Sequence, residues 1–447
     1  VTSSLSSPRL RRIITAYTVN RLGTWVGTIA LSLAVFDHTR SALAVASTLV
    51  AAQVLPAFAV PALVAKVEAS HRRRELSGLY FFEAATTTAL AVLLWHFWLP
   101  AVLMFVALDG TAALAASALL RTEAARAGRE QAAISSQTPI EVIDQREDDA
   151  RAGERSANAA INVAFSATFV LGPVAGGAIA AGAGAPVALF VDAASFLVCG
   201  ALLLDLHPHV EEAAGTSVRA RLTAAWEHIK GVPALRSLLL TQAAALVFFE
   251  SAAPIEVAYA KATLHAGDRG FGLLVTSWGV GVVLGGIVFA RSATRPLGTM
   301  LSAGTFAVGL AYIGFAAAPS LAFACAAALV GGIGNGVQWA PLVSAVQLLT
   351  PQALQGRVMG ALESIGALCP AFGLTLGGAL VALSSPRVAF LIVGMGAALT
   401  TVAFVRVPLS THGESTSAPE KDIAASSDPA DDSALAPSRP LSEPASN

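Results

Sequence analysis

Long apolar stretches alternate with short polar ones from the start of the chain to about residue 407. A helix that crosses the hydrocarbon core of a bilayer needs about 20 predominantly apolar residues. Twelve stretches have that character: 13–36, 42–65, 76–97, 99–120, 158–180, 184–206, 237–258, 270–290, 298–317, 321–346, 359–383 and 387–407. Several are rich in Ala and Gly, which lets membrane helices pack closely. From about residue 409 the pattern stops. Stretches such as STSAPEKD and SDPADD carry too little apolar surface to fold, and the tail is expected to be disordered. The pattern predicts an all-α membrane protein with twelve transmembrane helices.

The polar positions between these stretches set the orientation, because Lys and Arg accumulate on the cytoplasmic side. Arg9, Arg11 and Arg12 precede the first stretch, and Lys66, Arg72, Arg73 and Arg74 follow the second. The connection 121–157 is charged and long, with six arginines and an acidic patch from Glu141 to Asp149. Arg219, Arg221, Lys230, Arg236, Arg291, Arg295 and Arg357 fall on the same side, whereas the other side has Arg40, Lys261, Arg269 and Arg387. Both termini are therefore expected in the cytoplasm. The expected organisation is a cytoplasmic N-terminus (1–12), a six-helix bundle (13–206), a linker (207–236), a second six-helix bundle (237–407) and the tail (408–447). Within the linker, Leu222, Trp226 and Ile229 fall on one face of an amphipathic segment, which fits either a surface helix or a plain connection.

Composition narrows the function classes. Hydrophobic residues make up 55% of the chain and charged residues 13%, with a mean hydropathy of +0.66. A soluble domain carries about 25% charged residues, so this surface has to face lipid. No basic domain points to nucleic acid. Cys199, Cys325 and Cys369 lie inside apolar runs and read as small hydrophobes. The histidines lack metal-ligand spacing within a membrane helix. No GxxxxGK[ST] phosphate loop, HExxH or GxSxG occurs. No enzyme, cofactor or metal is expected, and any energy input should come from an ion gradient.

Two glycine motifs repeat about half the folded length apart. GPVAGGAIAA begins at Gly172, and GLTLGGALVA at Gly373. Each has a glycine followed four residues later by a glycine pair, Gly176-Gly177 and Gly377-Gly378, and each follows a basic loop. Glycines four apart line one helix face and admit a neighbouring backbone. Pro173 adds a kink site. The motifs serve either tight packing or a flexing contact that seals one side.

GPVAGG at 172–177 resembles the antiporter signature of the fifth helix in the major facilitator superfamily, with Thr168 in place of its outer glycine. NRLGTWVGTIAL at 20–31, ALFVDAASFLV at 188–198 and TPQALQGRVMG at 350–360 are similar to the first helix, the sixth helix and the loop between helices ten and eleven in its proton-linked multidrug and macrolide exporter branch, which includes the enterobactin exporter. The superfamily signature between helices two and three is altered. Pro61 stands at the glycine and Ala65-Lys66 at the Asp-Arg pair, although Arg72, Arg73 and Arg74 retain the basic cluster. Its second-half copy reads GGIVFARSATR, with Gly286 and Arg291. The resemblance implies two pseudo-symmetric six-helix bundles, with helices 1, 4, 7 and 10 lining a central cavity and 3, 6, 9 and 12 as scaffold.

Ionisable groups inside membrane helices are expensive and become functional candidates. Asn20 and Arg21 lie on the first helix and Asp109 on the fourth. At a rise of about 1.5 Å per residue, Arg21 and Asp109 differ in depth by roughly 5 Å. A pair across the cavity would make Asp109 the proton-coupling carboxylate, or a static structural partner. Glu250, one turn before Pro254, is a second proton-coupling candidate, or an outward-facing residue at the mouth. In GGIGNGVQWAP on the tenth helix, Asn335, Gln338 and Trp339 are candidates to contact substrate, unless the segment serves packing alone. Glu83 and Asp192, on scaffold helices, are expected to be structural hydrogen-bonding groups. The resulting expectation is a monomeric, proton-coupled exporter of lipophilic or amphipathic small molecules in the inner membrane. The alternative is a sensor or scaffold on a degenerate facilitator fold, which the altered signature and the long connection 121–157 favour.

Overall fold

The computed structural model describes residues 7–53, 56, 75–135, 143–204, 226–292 and 295–405. Every regular element among them is a helix. In chain order these are α1 (Pro8–Thr39), α2 (Ala42–Gln53), α3 (Glu75–Leu93), α4 (Leu99–Ser135), α5 (Ile143–Ala183), α6 (Ala185–Leu202), α7 (Pro233–Ala258), α8 (Gly267–Arg291), α9 (Leu297–Ala317), α10 (Leu321–Leu348), α11 (Gln352–Leu383) and α12 (Pro386–Val405). Ten of them are long and apolar enough to cross a membrane, and α2 and Pro386–Val402 are shorter apolar helices.

Local chemistry sets the helix ends. Ser7 caps α1 through its hydroxyl, with Pro8 in the first turn. Arg40 takes the left-handed conformation that closes the helix, its N–H bonding to Phe36 O at 2.7 Å. Gly184, at φ 91°, is the single residue between α5 and α6, a conformation that side-chain-bearing residues rarely adopt. Such short connections force antiparallel neighbours. The end of the bundle where α1 starts is termed the near face, and the opposite end the far face.

The apolar core has three parts. One cluster at the far face draws on both halves, from Val26, Leu33 and Phe36 of α1 to Tyr259, Trp278, Tyr312, Phe315 and Phe390 of the second half. At the near face the halves have separate cores. Leu10, Tyr17, Tyr80, Leu119 and Phe196 belong to the first, and Leu235, Leu238, Leu301, Leu342 and Val346 to the second. Among the described residues the halves thus share an apolar core at the far face and have separate ones at the near face.

The connection 121–157 departs from the loop expected there. Helix α4 runs on to Ser135 and α5 starts at Ile143, leaving 136–142 outside the described residues. The extension AARAGREQAA is rich in strong helix formers. Arg126 pairs with Glu130 one turn on, and Arg129 with Glu154 across the hairpin, at 2.8 and 2.7 Å. A Cβ on Gly128 would come within 2.5 Å of Gly153 O, so the two helices touch backbone to backbone. Arg9 ties α1 to this extension through Glu123 and Glu130, both at 2.8 Å. In the linker, residues 226–231 are helical, with Ile229 buried in the second near-face core and Trp226 exposed. Leu222 and the tail lie outside the described residues.

Candidate functional site

Between the halves lies a cavity of about 270 Å³. Phe165 and Phe169 of α5 form its first-half wall. Gln242, Ala245, Leu246 and Phe249 of α7, Val282 of α8, and Asn335, Gln338 and Trp339 of α10 form the rest. Among the described residues no charged side chain lines it. Gln338 Nε2 donates to Gln242 Oε1 at 3.4 Å, so the amides of α7 and α10 meet across the wall. The glycines of GGIGNGVQWAP place these groups. A Cβ on Gly332 would strike Trp278 O of α8 at 2.1 Å, and one on Gly334 would come within 2.4 Å of Gly304 O of α9. Packing therefore uses the glycines, while Asn335, Gln338 and Trp339 remain turned to the cavity.

The repeated glycine motifs close the far side of this cavity. In α5, Gly172 meets Trp25 and Gly176 meets Val26 and Ile29 of α1. Gly177 instead crosses to the other half, where a Cβ would lie 2.7 Å from Asp268 O and 3.0 Å from Gly272 Cα of α8, and Gly272 lies equally close to Pro173 O. In α11, Gly373 packs on Val247 and Glu250, and Gly377 on Ser251 and Pro254 of α7. Gly378 crosses to Ala42, Leu43 and Ala46 of α2. The two motifs have one geometry. The first two glycines seat α1 or α7 of their own half, and the third admits a helix of the other half.

An ion-pair cluster sits beside these crossings. After Pro254, α7 passes into a π-helical turn, Tyr259–Thr263, with Leu264 N–H bonded to Tyr259 O at 2.9 Å. This turn carries Lys261, whose side chain is 11% exposed. Its ammonium pairs with Asp37 at the end of α1 and with Asp268, at 2.6 Å, at the start of α8. The cluster joins the halves at the far face. In the sequence, Lys261 bears only on orientation. Its placement at the end of the first helix of the second half, matching Asp37 at the end of α1, is the signal that could have found it.

The intramembrane charges are arranged differently from expectation. Arg21 and Asp109 do not pair. Arg21 stacks over Phe165 and Trp25, at 5.3 and 6.0 Å from the ring centres, behind the aromatic wall of the cavity. Asp109 faces α3, where its Oδ1 accepts from Thr86 at 2.6 Å and Thr87 at 3.1 Å. Nearness in depth left rotation around the helix axis open, and rotation separates the two. The carbonyl of Asn20 accepts from Thr24 Oγ1, and neither Asn20 nor Glu250 lines the cavity. Glu83 and Asp192 are 1% and 6% exposed, yet neither oxygen of Glu83 and not Oδ1 of Asp192 has a hydrogen-bond partner. The hydrogen bonding expected of Glu83 is missing, whereas Asp192 has Ser195 as a hydrogen-bonding neighbour. Gly286 borders open space and Arg291 is exposed at the near face. Lys66, Arg72 and Arg73, and the side chain of Arg357, lie outside the described residues. Among the described residues no group of His, Cys, Asp and Glu could hold a metal ion.

Residues 238–443 match the Major Facilitator Superfamily model. Several solved transporters resemble the chain. A crystal structure of the nucleoside transporter NupG aligns at 12% identity over 90% of this chain and 99% of that one, with a TM-score of 0.69. The chain has the major facilitator fold. A bacterial homologue of the human lysosomal transporter Spinster, in an inward-facing and unoccupied conformation, aligns at 15% identity over 90% of this chain and 95% of that one, with a TM-score of 0.58. The peptide-transporter-family protein PepTSo aligns at 10% identity over 89% and 96%, with a TM-score of 0.61. No curated protein sequence matches the chain. On this fold the two glycine motifs make equivalent contacts in the two halves.

Proposed function

We propose that the whole chain is a major facilitator secondary transporter that exports lipophilic or amphipathic small molecules, coupled to protons, by alternating access. The observation that carries this reading is the asymmetry of the core. One apolar cluster and two glycine crossings join the halves at the far face, two separate cores stand at the near face, and an uncharged cavity lies between. A bundle closed at one end by small-residue contacts can reopen there by rocking one half against the other. The lining favours a neutral or weakly cationic ligand. Four aromatic rings offer stacking faces, and three amides offer hydrogen bonds.

The clustering of Lys and Arg makes the near face cytoplasmic, with both termini on that side of the inner membrane. In that orientation the cavity opens inward and the Lys261 cluster latches the outer side. Helices α2 and α12 would complete twelve spans. One chain supplies both halves of the cavity, so a monomer is sufficient.

Uptake into everted membrane vesicles under an imposed proton gradient tests this reading with lipophilic dyes and macrolides. Gradient-driven uptake that collapses with a protonophore, and is lost in Gly177→Leu, is the expected result. Absence of uptake for every compound by folded protein would favour the sensor or scaffold alternative.

A further inference from the structure

Three carboxyl groups share the interior of the first half without a basic partner among the described residues. Glu83 projects from α3, Asp109 from α4 and Asp192 from α6. Glu83 interacts electrostatically with both aspartates, and the aspartates with each other. Tyr80 of α3 and Cys199 of α6 are titratable groups beside Glu83, and Tyr17 of α1 is beside Tyr80. Arg21, the nearby cation of α1, is turned to Trp25 and Phe165. The hydroxyls of Thr86 and Thr87 serve Asp109, and Cys199 Sγ donates to Ala16 O. No donor reaches Glu83, whose two oxygens are buried and bare.

We propose that Glu83, Asp109 and Asp192 form a proton-binding site inside the first bundle, separate from the central cavity. A buried carboxylate needs a countercharge or donors, and several uncompensated ones in a membrane interior are prohibitive. The cluster therefore has to take up positive charge. Its oxygens do not converge as metal ligands do, which leaves the proton. Asp109 is half-buried, whereas the other two are buried, so Asp109 is the most accessible member of the group.

The site is placed to sense α1. A Cβ on Gly27 would lie 2.1 Å from Asp192 Oδ2, and one on Gly23 would lie 2.0 Å from Ser195 Oγ. The bare backbone of α1 thus rests on the Asp192 side chain. The same helix carries Asp37 of the far-face ion pairs and lies against Gly172 and Gly176 of α5. Proton occupancy and the seating of α1 share one contact. Its use in driving transport rests on the transporter reading; occupancy itself does not.

Infrared spectroscopy of the purified full chain in lipid nanodiscs at neutral pH tests the site without any transport step. A protonated-carboxyl C=O band that shifts in deuterated buffer is expected in the wild type, with a loss of intensity in Glu83→Gln and again in Asp192→Asn. Both variants should fold, because an amide mimics a protonated carboxyl. A band of unchanged intensity in both variants would overturn the proposal. So would failure of both amide variants to fold, which would mean that the ionised forms are required. A thermal midpoint that rises in sodium chloride over choline chloride in the wild type but not in the variants would replace the proton with an alkali cation.

Discussion

At the scale of single residues, glycine carries much of the design. The spacing of Gly172, Gly176 and Gly177, and of Gly373, Gly377 and Gly378, was legible because a repeated pattern in an apolar run has few other causes. Which neighbour each glycine admits was not legible, because that depends on helix rotation. The Arg21–Asp109 pair failed for the same reason. Gly23 and Gly27 were visible in NRLGTWVGTIAL, but their partners Ser195 and Asp192 lie far along the chain. Their contact predicts a coupling energy. Gly27→Ala should destabilise the protein by about 1–3 kcal/mol through overpacking. The same change in an Asp192→Ala background should cost less by about 0.5–3 kcal/mol, the range for residues in contact. Unfolding equilibria of the four proteins in detergent close the cycle, and strict additivity would mean that the two residues are not in contact.

Elements were easiest to see where they are apolar. The spans of α1 and of α3 to α12 follow from runs that only a lipid-facing or buried helix needs. The extended ends of α4 and α5 escaped because they are charged, and hydropathy sees them as loop. Their stability comes from strong helix formers, from the Arg126–Glu130 and Arg129–Glu154 pairs and from the Gly128–Gly153 contact. The backbone contact is the larger factor, since exposed pairs contribute about 0.2–1 kcal/mol. Gly153→Leu should therefore open the hairpin and speed proteolysis within 121–157, whereas Arg129→Ala should leave the cleavage rate nearly unchanged. Limited proteolysis of the purified variants reads the difference, and equal rates would place the hairpin's stability elsewhere.

For the whole molecule, the sequence contained the two-half organisation in its internal repeat but not the state in which the halves rest. That state depends on contacts among residues distant in sequence, such as Gly177 with Gly272 and Lys261 with Asp37. Lys261 neutralises two carboxylates, one from each half, at the closed far face. Lys261→Met leaves Asp37 and Asp268 facing each other without the cation. The variant should weaken the seal and raise the labelling rate, from the far side, of a cysteine placed at Asn335 in the cavity wall several-fold. An unchanged rate would confine the ion pairs to local structure.

The central claim is that the halves exchange between a near-open and a far-open arrangement about one cavity. The most direct measurement is pulsed electron resonance between paired spin labels, with Cys199, Cys325 and Cys369 first replaced. Ala152→Cys with Arg291→Cys reports the near face between α5 and α8, and Gly182→Cys with Arg269→Cys reports the far face between the same helices. All four positions are exposed. When proton concentration or a transported compound is varied, the account predicts a second population in which the near-face distance shortens and the far-face distance lengthens together. Distances that stay fixed at both faces under every condition, in protein that binds ligand, would contradict it.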